Sequence, residues 1–294
     1  MKFAFSLLLL LLFMLAYGCS SVPRPPRKVH LPSILEEASG LVFTPGDSRF
    51  ILHNDSGDQP FLYTIDTNGY LLNKTLLPVQ AIDWEDICSD DNNHLYIGDF
   101  GNNRGNRLQQ TIYCFNLKTQ STDSIVFTYP VQDGGGRQSP GNYDCEAVIY
   151  FHNHLHLFTK AIPGRRKQYW SYHFRLPADP GEYVAELVDS FYFARRTITG
   201  ASFDRARKEL VLISYNYKKW LGIFPVVASS LMQLTGFPED RFFQGKLMRR
   251  NVSWGLPVQY EAIAYFDDRY LYIVTEKTRF RRSAFMKRKR RFKH

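Results

Sequence analysis

The chain has 294 residues, of which 44% are hydrophobic and 15% aromatic, and its formal net charge is +9. This length allows one large domain or two small ones, and the short runs of tyrosine and phenylalanine favour β-strands over helices. The positive charge does not indicate a nucleic-acid-binding body, because ten lysines and arginines lie in residues 277–294 and leave 27 basic against 28 acidic residues elsewhere. We therefore expect a nearly neutral body followed by a basic, disordered tail over residues 279–294.

The N-terminal segment is typical of an exported protein. Residues 4–17 are almost entirely apolar, follow the positive Lys2, and are too few to cross a bilayer. Residues 15–19 resemble a lipobox, which predicts a lipoprotein signal peptide over residues 1–18 and lipidation of Cys19. The alternative is an uncleaved membrane anchor. Either way we expect an exported, membrane-attached protein, on the periplasmic or surface side of a bacterial outer membrane.

The sequence predicts a lipidated, Pro-rich tether over residues 19–29 and a folded domain over residues 30–278. Apart from Cys19, the domain holds Cys88, Cys114 and Cys145. An odd number of cysteines gives no disulfide framework, and their spacing matches no zinc site. We expect them to be small buried hydrophobic residues in strands.

An internal repeat is the main signal for the fold. Five segments begin with an oxygen-bearing residue and continue as an apolar, strand-like run, at residues 39–43, 85–89, 146–150, 199–203 and 261–265. A turn and a second apolar run follow each segment, and several units show a third and a fourth. Four strands per unit around a channel is the architecture of a β-propeller. We predict an all-β propeller with five blades, whose last blade is completed by residues 28–34; six blades or an unrelated β-sandwich are the alternatives.

The first residues of these segments are candidate metal ligands, because the innermost strand of each blade lines the axis of a propeller. They are Ser39, Glu85, Glu146, Thr199 and Glu261. Three carboxylates that converge at one mouth of the channel raise each other's pKa, and a hard divalent cation relieves that repulsion. Oxygen-only ligands in a roomy ring suit Ca²⁺, with Mg²⁺ as second choice. The alternative is structural, with the glutamates accepting hydrogen bonds from backbone amides of neighbouring blades.

This pattern resembles the calcium-dependent apyrases, five-bladed propellers that hold one axial Ca²⁺ with Ser and Glu side chains from successive blades. The similarity rests on the five candidate ligands, on their context in residues 145–147 and 260–262, and on residues 62–69. It implies an axial Ca²⁺ and hydrolysis of phosphoanhydrides or phosphate esters. In the family an Asp follows the first serine and a Trp follows the second-blade glutamate, whereas Gly40 and Asp86 stand here. These departures lie at the catalytic mouth and favour ligand binding over hydrolysis.

The loops after the second strands return to the same mouth, and they are rich in acids, amides and cations. Asp55 and Asp99 are candidates to orient a water molecule. Candidates to bind an anionic ligand are His53, Arg104, Lys160 and Lys277. The sequence therefore leaves two functions open. In one, a calcium-centred propeller binds a small anionic molecule, a glycan or a surface protein; in the other, it is an apyrase-like hydrolase. We expect a monomer without a nucleic-acid partner.

Overall fold

The computed structural model describes residues 27–55, 57–90, 92–134, 137–140, 143–160, 169–220, 224–255, 258–279 and 281–292. Within these ranges, five mainly antiparallel sheets radiate from a common axis, and their inner strands contact one another in a closed ring. The fold is a five-bladed β-propeller, which confirms the predicted all-β class and blade number. Residues 1–18, Cys19 and the tether up to residue 26 lie outside the described residues. No helix in the described ranges is long and apolar enough to cross a membrane.

The first three blades follow one another along the chain, each from the axis outwards. Blade one contains β2 (Ala38–Thr44), β3 (Arg49–Asn54), β4 (Phe61–Ile65) and β5 (Leu71–Leu76). Blade two contains β6 (Trp84–Ser89), β7 (His94–Asp99), β8 (Gln110–Asn116) and β9 (Thr122–Thr128), with β15 (Gly181–Val184) added parallel to β9. Blade three contains β12 (Cys145–Phe151), β13 (His154–Thr159), β14 (Trp170–Pro177) and β16 (Glu186–Tyr192).

The last two blades differ in how they are completed. Blade four contains β17 (Thr197–Asp204), the long hairpin β18 (Glu209–Trp220) and β19 (Phe224–Thr235), and β20 (Lys246–Gly255). Blade five contains β21 (Tyr260–Tyr265), β22 (Tyr270–Thr275), β23 (Ala284–Lys289) and, outermost, β1 (Lys28–His30). A hairpin of β10 (Val131–Gly134) and β11 (Arg137–Pro140) connects blades two and three, and two short 3₁₀ helices span Ser33–Leu35 and Phe242–Gln244.

The hydrophobic core consists of five clusters, one between each pair of adjacent blades. Side chains of a strand alternate between its two faces, so a strand between two blades contributes to two clusters. In β18, Leu210 and Leu212 pack towards blade three, and Val211 and Ile213 pack towards blade five. This is why the second strands are continuous apolar runs in the sequence. Cys88, Cys114 and Cys145 are free and buried in the cluster between blades two and three, as expected.

Both termini close the ring, because β1 pairs with β23 and Lys28 lies opposite Met286. The prediction that residues 279–294 form a disordered tail is therefore wrong for β23, the third strand of the last blade. Ala284, Phe285 and Met286 are buried, and the Lys287 ammonium lies 4.3 Å from the centre of the Tyr270 ring. Apolar burial and backbone pairing with two neighbours outweigh the charge of this segment. The folded domain extends past residue 278 and includes Lys28, which was assigned to the tether.

Candidate metal centre at the axial mouth

Each inner strand carries a β-bulge at the same end of the channel, which we name the axial mouth. At each bulge the pairing with the second strand skips one residue, and the skipped residues are Gly40, Glu85, Glu146, Thr199 and Glu261. A bulge leaves the extra residue unpaired and re-aims its side chain. Four of the five predicted ring residues therefore occupy bulges. In blade one the bulge falls on Gly40, so Ser39 lies one residue before the position that the other four occupy.

The two predicted hydroxyl ligands join adjacent blades. The Ser39 hydroxyl donates to the main-chain carbonyl of Glu85 at 2.6 Å, and the Thr199 hydroxyl donates to that of Tyr260 at 2.7 Å. Both side chains are buried. Each bond runs from one inner strand to the next, so these residues hold the ring of strands together beneath the carboxylates.

The carboxylates at the mouth form two groups that share Glu85. Oxygen atoms of Glu85, Asp144 and Glu146 lie within 4.8 Å of one another, and so do those of Asp55, Asp83 and Glu85. Glu85, Asp144 and Glu146 are buried, and all three could hold a metal ion. The sequence predicted Glu85 and Glu146 as ligands and Asp55 as a residue of the mouth. It missed Asp83 and Asp144, each of which lies two residues before a bulged glutamate.

Burial and mutual repulsion raise the pKa values of the carboxyl groups at the mouth. Burial raises the pKa of Glu85 well above its usual range, and the nearby Glu146 and Asp55 raise it further. The pKa of Glu146 rises to about 8 through burial, against the opposing effect of Lys160. Burial and Glu276 raise the pKa of Glu261 to about 8, and that of Glu276 itself rises to about 7. Without a bound cation, these raised pKa values favour the protonated forms of the carboxyl groups.

Lys160 is the cation of this cluster. Its backbone follows β13 directly, and its ammonium donates to Glu146. Burial alone would lower the pKa of Lys160, but Glu146, Tyr215, Asp144 and Glu85 together outweigh it and hold that pKa well above its usual range. Lys160 was predicted to contact an anionic ligand. In the structure it partly neutralises the acidic cluster, whose seven carboxylates are Asp55, Asp83, Glu85, Asp144, Glu146, Glu261 and Glu276.

The end of β7 and the loop that follows it position the aspartates of the cluster. Asp99 accepts hydrogen bonds from the backbone amides of Ile82 and Asp83 at 3.1 and 3.0 Å, and pairs with the Arg107 guanidinium at 2.9 Å. Asp144 accepts from the backbone amide of Asn102 at 2.7 Å. Asp99 is fully buried and its carboxylate is occupied by these partners, so its geometry does not support the predicted role in orienting a water molecule. Asp99 is a positioning residue for Asp83.

Gly101 provides the space for two of these carboxylates. A Cβ atom at this position would lie 2.2 Å from Glu85 Oε1 and 2.4 Å from Asp83 Oδ2. Real Cβ atoms do not approach oxygen atoms so closely, so any larger residue would push the two side chains aside. The sequence showed Gly101 only as part of a polar loop.

The other predicted ligand-binding residues have different surroundings. The His53 ring is fully buried against Gly40 and lies edge-on to the Trp84 ring, and burial lowers its pKa to about 4. It is therefore a neutral core residue. Lys277 pairs with Glu36 at the rim, whereas Arg104 is exposed beside a cleft of about 530 Å³ that Asp83 also lines. Arg104 and Lys277 are both exposed, and of the two Arg104 lies beside a cleft that the acidic cluster also lines.

Asp86 is also a buried acid at the axis, but it links blades through backbone hydrogen bonds and does not belong to the acidic cluster. Its carboxylate accepts from the backbone amides of Ile87 at 2.9 Å, Val148 at 3.0 Å and Ala201 at 3.3 Å. These amides belong to blades two, three and four. Such inter-blade bonds were the structural alternative for the glutamates of the ring. Asp86 makes them instead.

Comparisons with known proteins agree on the fold. No protein-family model matches the chain, and no curated protein matches it in sequence. Among solved structures, a mannose phosphorylase from Leishmania mexicana, in complex with a phosphate ion, is 12% identical with a TM-score of 0.53, covering 90% of this chain and 88% of that one. An α-L-arabinanase from Penicillium chrysogenum, in complex with arabinobiose, is 8% identical with a TM-score of 0.50, covering 91% and 99%. At such low identity these similarities show a shared fold and nothing about activity.

Proposed function

We propose that this protein is an exported, membrane-attached propeller that binds Ca²⁺ at its axial mouth and, through the metal, an anionic ligand. The observation that supports the metal site is the convergence of Glu85, Asp144 and Glu146 oxygens within 4.8 Å. Carboxylates brought this close repel one another unless they share protons or a cation. A divalent ion would replace the protons that burial and repulsion otherwise keep on these groups.

The donor set fits a hard cation. All candidate ligands are carboxylate oxygens, with neither histidine nor cysteine in either group of three. Ca²⁺ accepts six to eight oxygen ligands in flexible geometry, whereas Mg²⁺ requires a near-ideal octahedron at shorter distances. The carboxylate ligands come from different blades, and the Lys160 ammonium lies among them. This irregular arrangement suits Ca²⁺, which tolerates flexible geometry, better than Mg²⁺. Glu85, Asp144 and Glu146 would hold it, with Asp83 and Asp55 on the adjoining side.

The metal would also determine which ligand the mouth can accept. The acidic cluster at the mouth has seven carboxylates against the one ammonium of Lys160, so an anionic molecule is repelled unless a metal ion offers it a positive centre. When bound, Ca²⁺ supplies that centre and can polarise an oxygen atom of the ligand. Arg104, exposed beside Asp83, would contact the part of the ligand that leaves the axis.

Hydrolysis of phosphoanhydrides, as in the apyrases, is the second candidate. It needs a group that activates water beside the metal, and Asp99 is occupied by two amides and Arg107. Asp55, in the same group as Asp83 and Glu85, is the remaining candidate for this role. Release of phosphate from nucleoside diphosphates and triphosphates in calcium, absent in EDTA and lost in Asp55→Asn, would favour the hydrolase over the binding protein.

The test of the metal site is a calcium titration by calorimetry and thermal melting. It uses the chain from residue 20 to 294, because ending the protein at residue 278 would remove β23. We expect one Ca²⁺ per chain and an increase in melting temperature, since a ligand present at a hundred times its Kd stabilises the folded state by about 2.7 kcal/mol. Glu146→Gln should weaken calcium binding at least tenfold because it removes a charged ligand.

The matched control is Glu182→Gln, which removes one carboxylate from the exposed edge strand β15, outside the mouth. It should bind calcium like the unchanged protein. Absence of heat on titration, together with equal melting temperatures in calcium and EDTA for all three proteins, would overturn the metal site.

A further inference from the structure

The propeller is polarised along its axis. The inner strands begin at the axial mouth, so the turns between first and second strands lie at the opposite end, which we name the far face. In blade five, β23 runs from Ala284, opposite Thr275 at the mouth, to Lys289, opposite Tyr270 at the far face. The basic end of this strand and the residues after it therefore lie away from the carboxylates.

A large basic cleft opens at the far face between blades four and five. Its volume is about 860 Å³, and its walls include Arg207, Arg249, Arg250, Arg290 and Arg291. The acidic residues in the same walls are Glu209 and Asp268. Five arginines against two acids give the cleft a strong positive potential.

Within the part of the chain that the structure describes, three of these arginines form no ion pair with an acidic side chain. Arg290 pairs with Asp204 and Glu209, and Arg207 pairs with Asp204 and Asp268. Among the described residues, no carboxylate forms an ion pair with Arg249 or Arg291, and both side chains are exposed.

Arg250 donates to the main-chain carbonyls of Lys289 and Arg291 at 2.6 and 2.9 Å. Burial lowers the pKa of Arg250, and the nearby Arg288 guanidinium lowers it further. Guanidinium groups held together without a counter-charge are the arrangement that recognises phosphate.

The N-terminal segment enters the propeller at the same face. The backbone amide of Lys287 donates to the carbonyl of Arg27 at 3.0 Å, which places Arg27 next to the basic strand. Arg27 and Lys28 are exposed. Arg27 lies eight positions after Cys19, so an extended chain between them spans at most roughly 28 Å. An anchor in the N-terminal segment would thus hold the far face close to the membrane.

We infer that the far face docks on an anionic phospholipid bilayer, with lipid phosphate groups bound in the arginine cleft between blades four and five. The inference extends the proposed membrane attachment, because a single acyl chain binds membranes only marginally and a basic patch is a common second signal. Docking in this orientation presents the axial mouth to the solvent. Basic side chains near an anionic bilayer strengthen binding about fivefold each, and salt weakens the effect.

The test is co-sedimentation of the chain from residue 20 with lipid vesicles, in EDTA so that no metal at the mouth can bridge to lipid. We expect binding to vesicles of phosphatidylcholine with phosphatidylglycerol and little to phosphatidylcholine alone. The double variant Arg249→Gln and Arg291→Gln should bind about twentyfold more weakly. The matched control, Arg281→Gln with Arg282→Gln, removes two exposed arginines of the same basic segment from the turn at the axial mouth. It should bind like the unchanged protein.

Equal binding to both vesicle types, or equal loss in the two double variants, would overturn the proposed docking. Inorganic phosphate that abolishes vesicle binding at low concentration would overturn it in favour of a site for a soluble anion. Because the assay contains EDTA and omits the anchor, its result is independent of calcium binding and of lipidation at Cys19.

Discussion

Two carboxylates that are adjacent in the sequence, Glu85 and Asp86, lie in two regions of the axis with opposite surroundings. Glu85 occupies the bulge at the axial mouth, where it meets Asp144 and Glu146. Asp86 lies one residue further along the strand and accepts from three backbone amides. Both are buried, and burial raises the pKa of each well above its usual range.

The difference shows that burial and a raised pKa do not by themselves identify a metal ligand. The carboxylate of Asp86 already accepts three hydrogen bonds, whereas Glu85 faces other carboxylates. The bulge makes this difference, because it turns neighbouring side chains of one strand to different environments. Loss of Asp86 should therefore affect folding, and loss of the mouth carboxylates should affect cation binding.

The largest expected effect is on stability when Asp86 is replaced by alanine. The change leaves the amides of Ile87, Val148 and Ala201 buried without their acceptor, at about 1–3 kcal/mol for each. We expect a loss of roughly 5 kcal/mol in the free energy of unfolding, measured by urea denaturation in EDTA.

Asp86→Asn is the control, because it keeps one acceptor oxygen and should lose less than half as much. Glu85→Gln removes the adjacent charge and should leave stability in EDTA unchanged or improved. Similar losses for Asp86→Ala and Glu85→Gln would contradict the distinction between the two regions.

The second prediction concerns the pH dependence of stability without metal. The folded-state pKa values of Glu146 and Glu261 are raised from 4.5 to about 8. The folded protein therefore binds more protons than the unfolded chain between these values, and stability falls as pH rises through this window. From pH 6.5 to 8.5 we expect a loss on the order of 2 kcal/mol for each of the two groups in EDTA, measured by urea denaturation.

The pH range from 6.5 to 8.5 separates the effect of the mouth carboxyl groups on stability from the effect of the buried histidines. Burial lowers the pKa of His156 to about 3 and that of His173 below its usual value, so their contribution is lost as pH falls below about 6.5. The double variant Glu146→Gln with Glu261→Gln should show a much flatter profile above that pH. Saturating calcium should also flatten or reverse the slope, because a metal binds the deprotonated carboxylates. A slope that is unchanged in the double variant would contradict the raised pKa values.

The sequence was sufficient for the blades because their signals are local and repeated. Each inner strand and its hairpin partner could be located from an apolar run and a turn, and residues 28–34 from their place before the first repeat. The position of the bulge in blade one could not be located from the sequence, because a bulge depends on pairing with another strand. Ser39 has a more polar side chain than Gly40, so the pattern pointed to Ser39. In the C-terminal segment, the density of charge concealed the short apolar run Ala284, Phe285 and Met286.

Much of the candidate site depends on contacts between blades, which one sequence does not reveal. Asp144 joins Glu85 because blades two and three are neighbours, and its position is fixed by the backbone amide of Asn102. Asp99 and Lys160 were recognised as polar residues of the mouth, but their partners were not. A residue type and a loop position indicate that a side chain is near the mouth. They do not indicate whether another protein group already uses it.

The smallest expected effect is that of Gly101→Ala, which changes the mouth without removing a charge. The new Cβ would lie 2.2 Å from Glu85 Oε1 and 2.4 Å from Asp83 Oδ2, so both side chains must move. These oxygen atoms are the ends of flexible side chains, which can rotate away from the new Cβ. We therefore expect the free energy of unfolding in EDTA to change by less than about 1 kcal/mol. Calcium affinity should fall about tenfold, because displaced oxygens coordinate less well.

The control is Gly46→Ala, where nothing lies within 4 Å of the added atom and calcium affinity should not change. If calorimetry gives the same calcium affinity for both variants, Glu85 and Asp83 are not metal ligands and the site must be confined to Asp144 and Glu146. If Gly101→Ala instead unfolds the protein as Asp86→Ala should, the mouth is part of the structural framework and the distinction between the two regions fails.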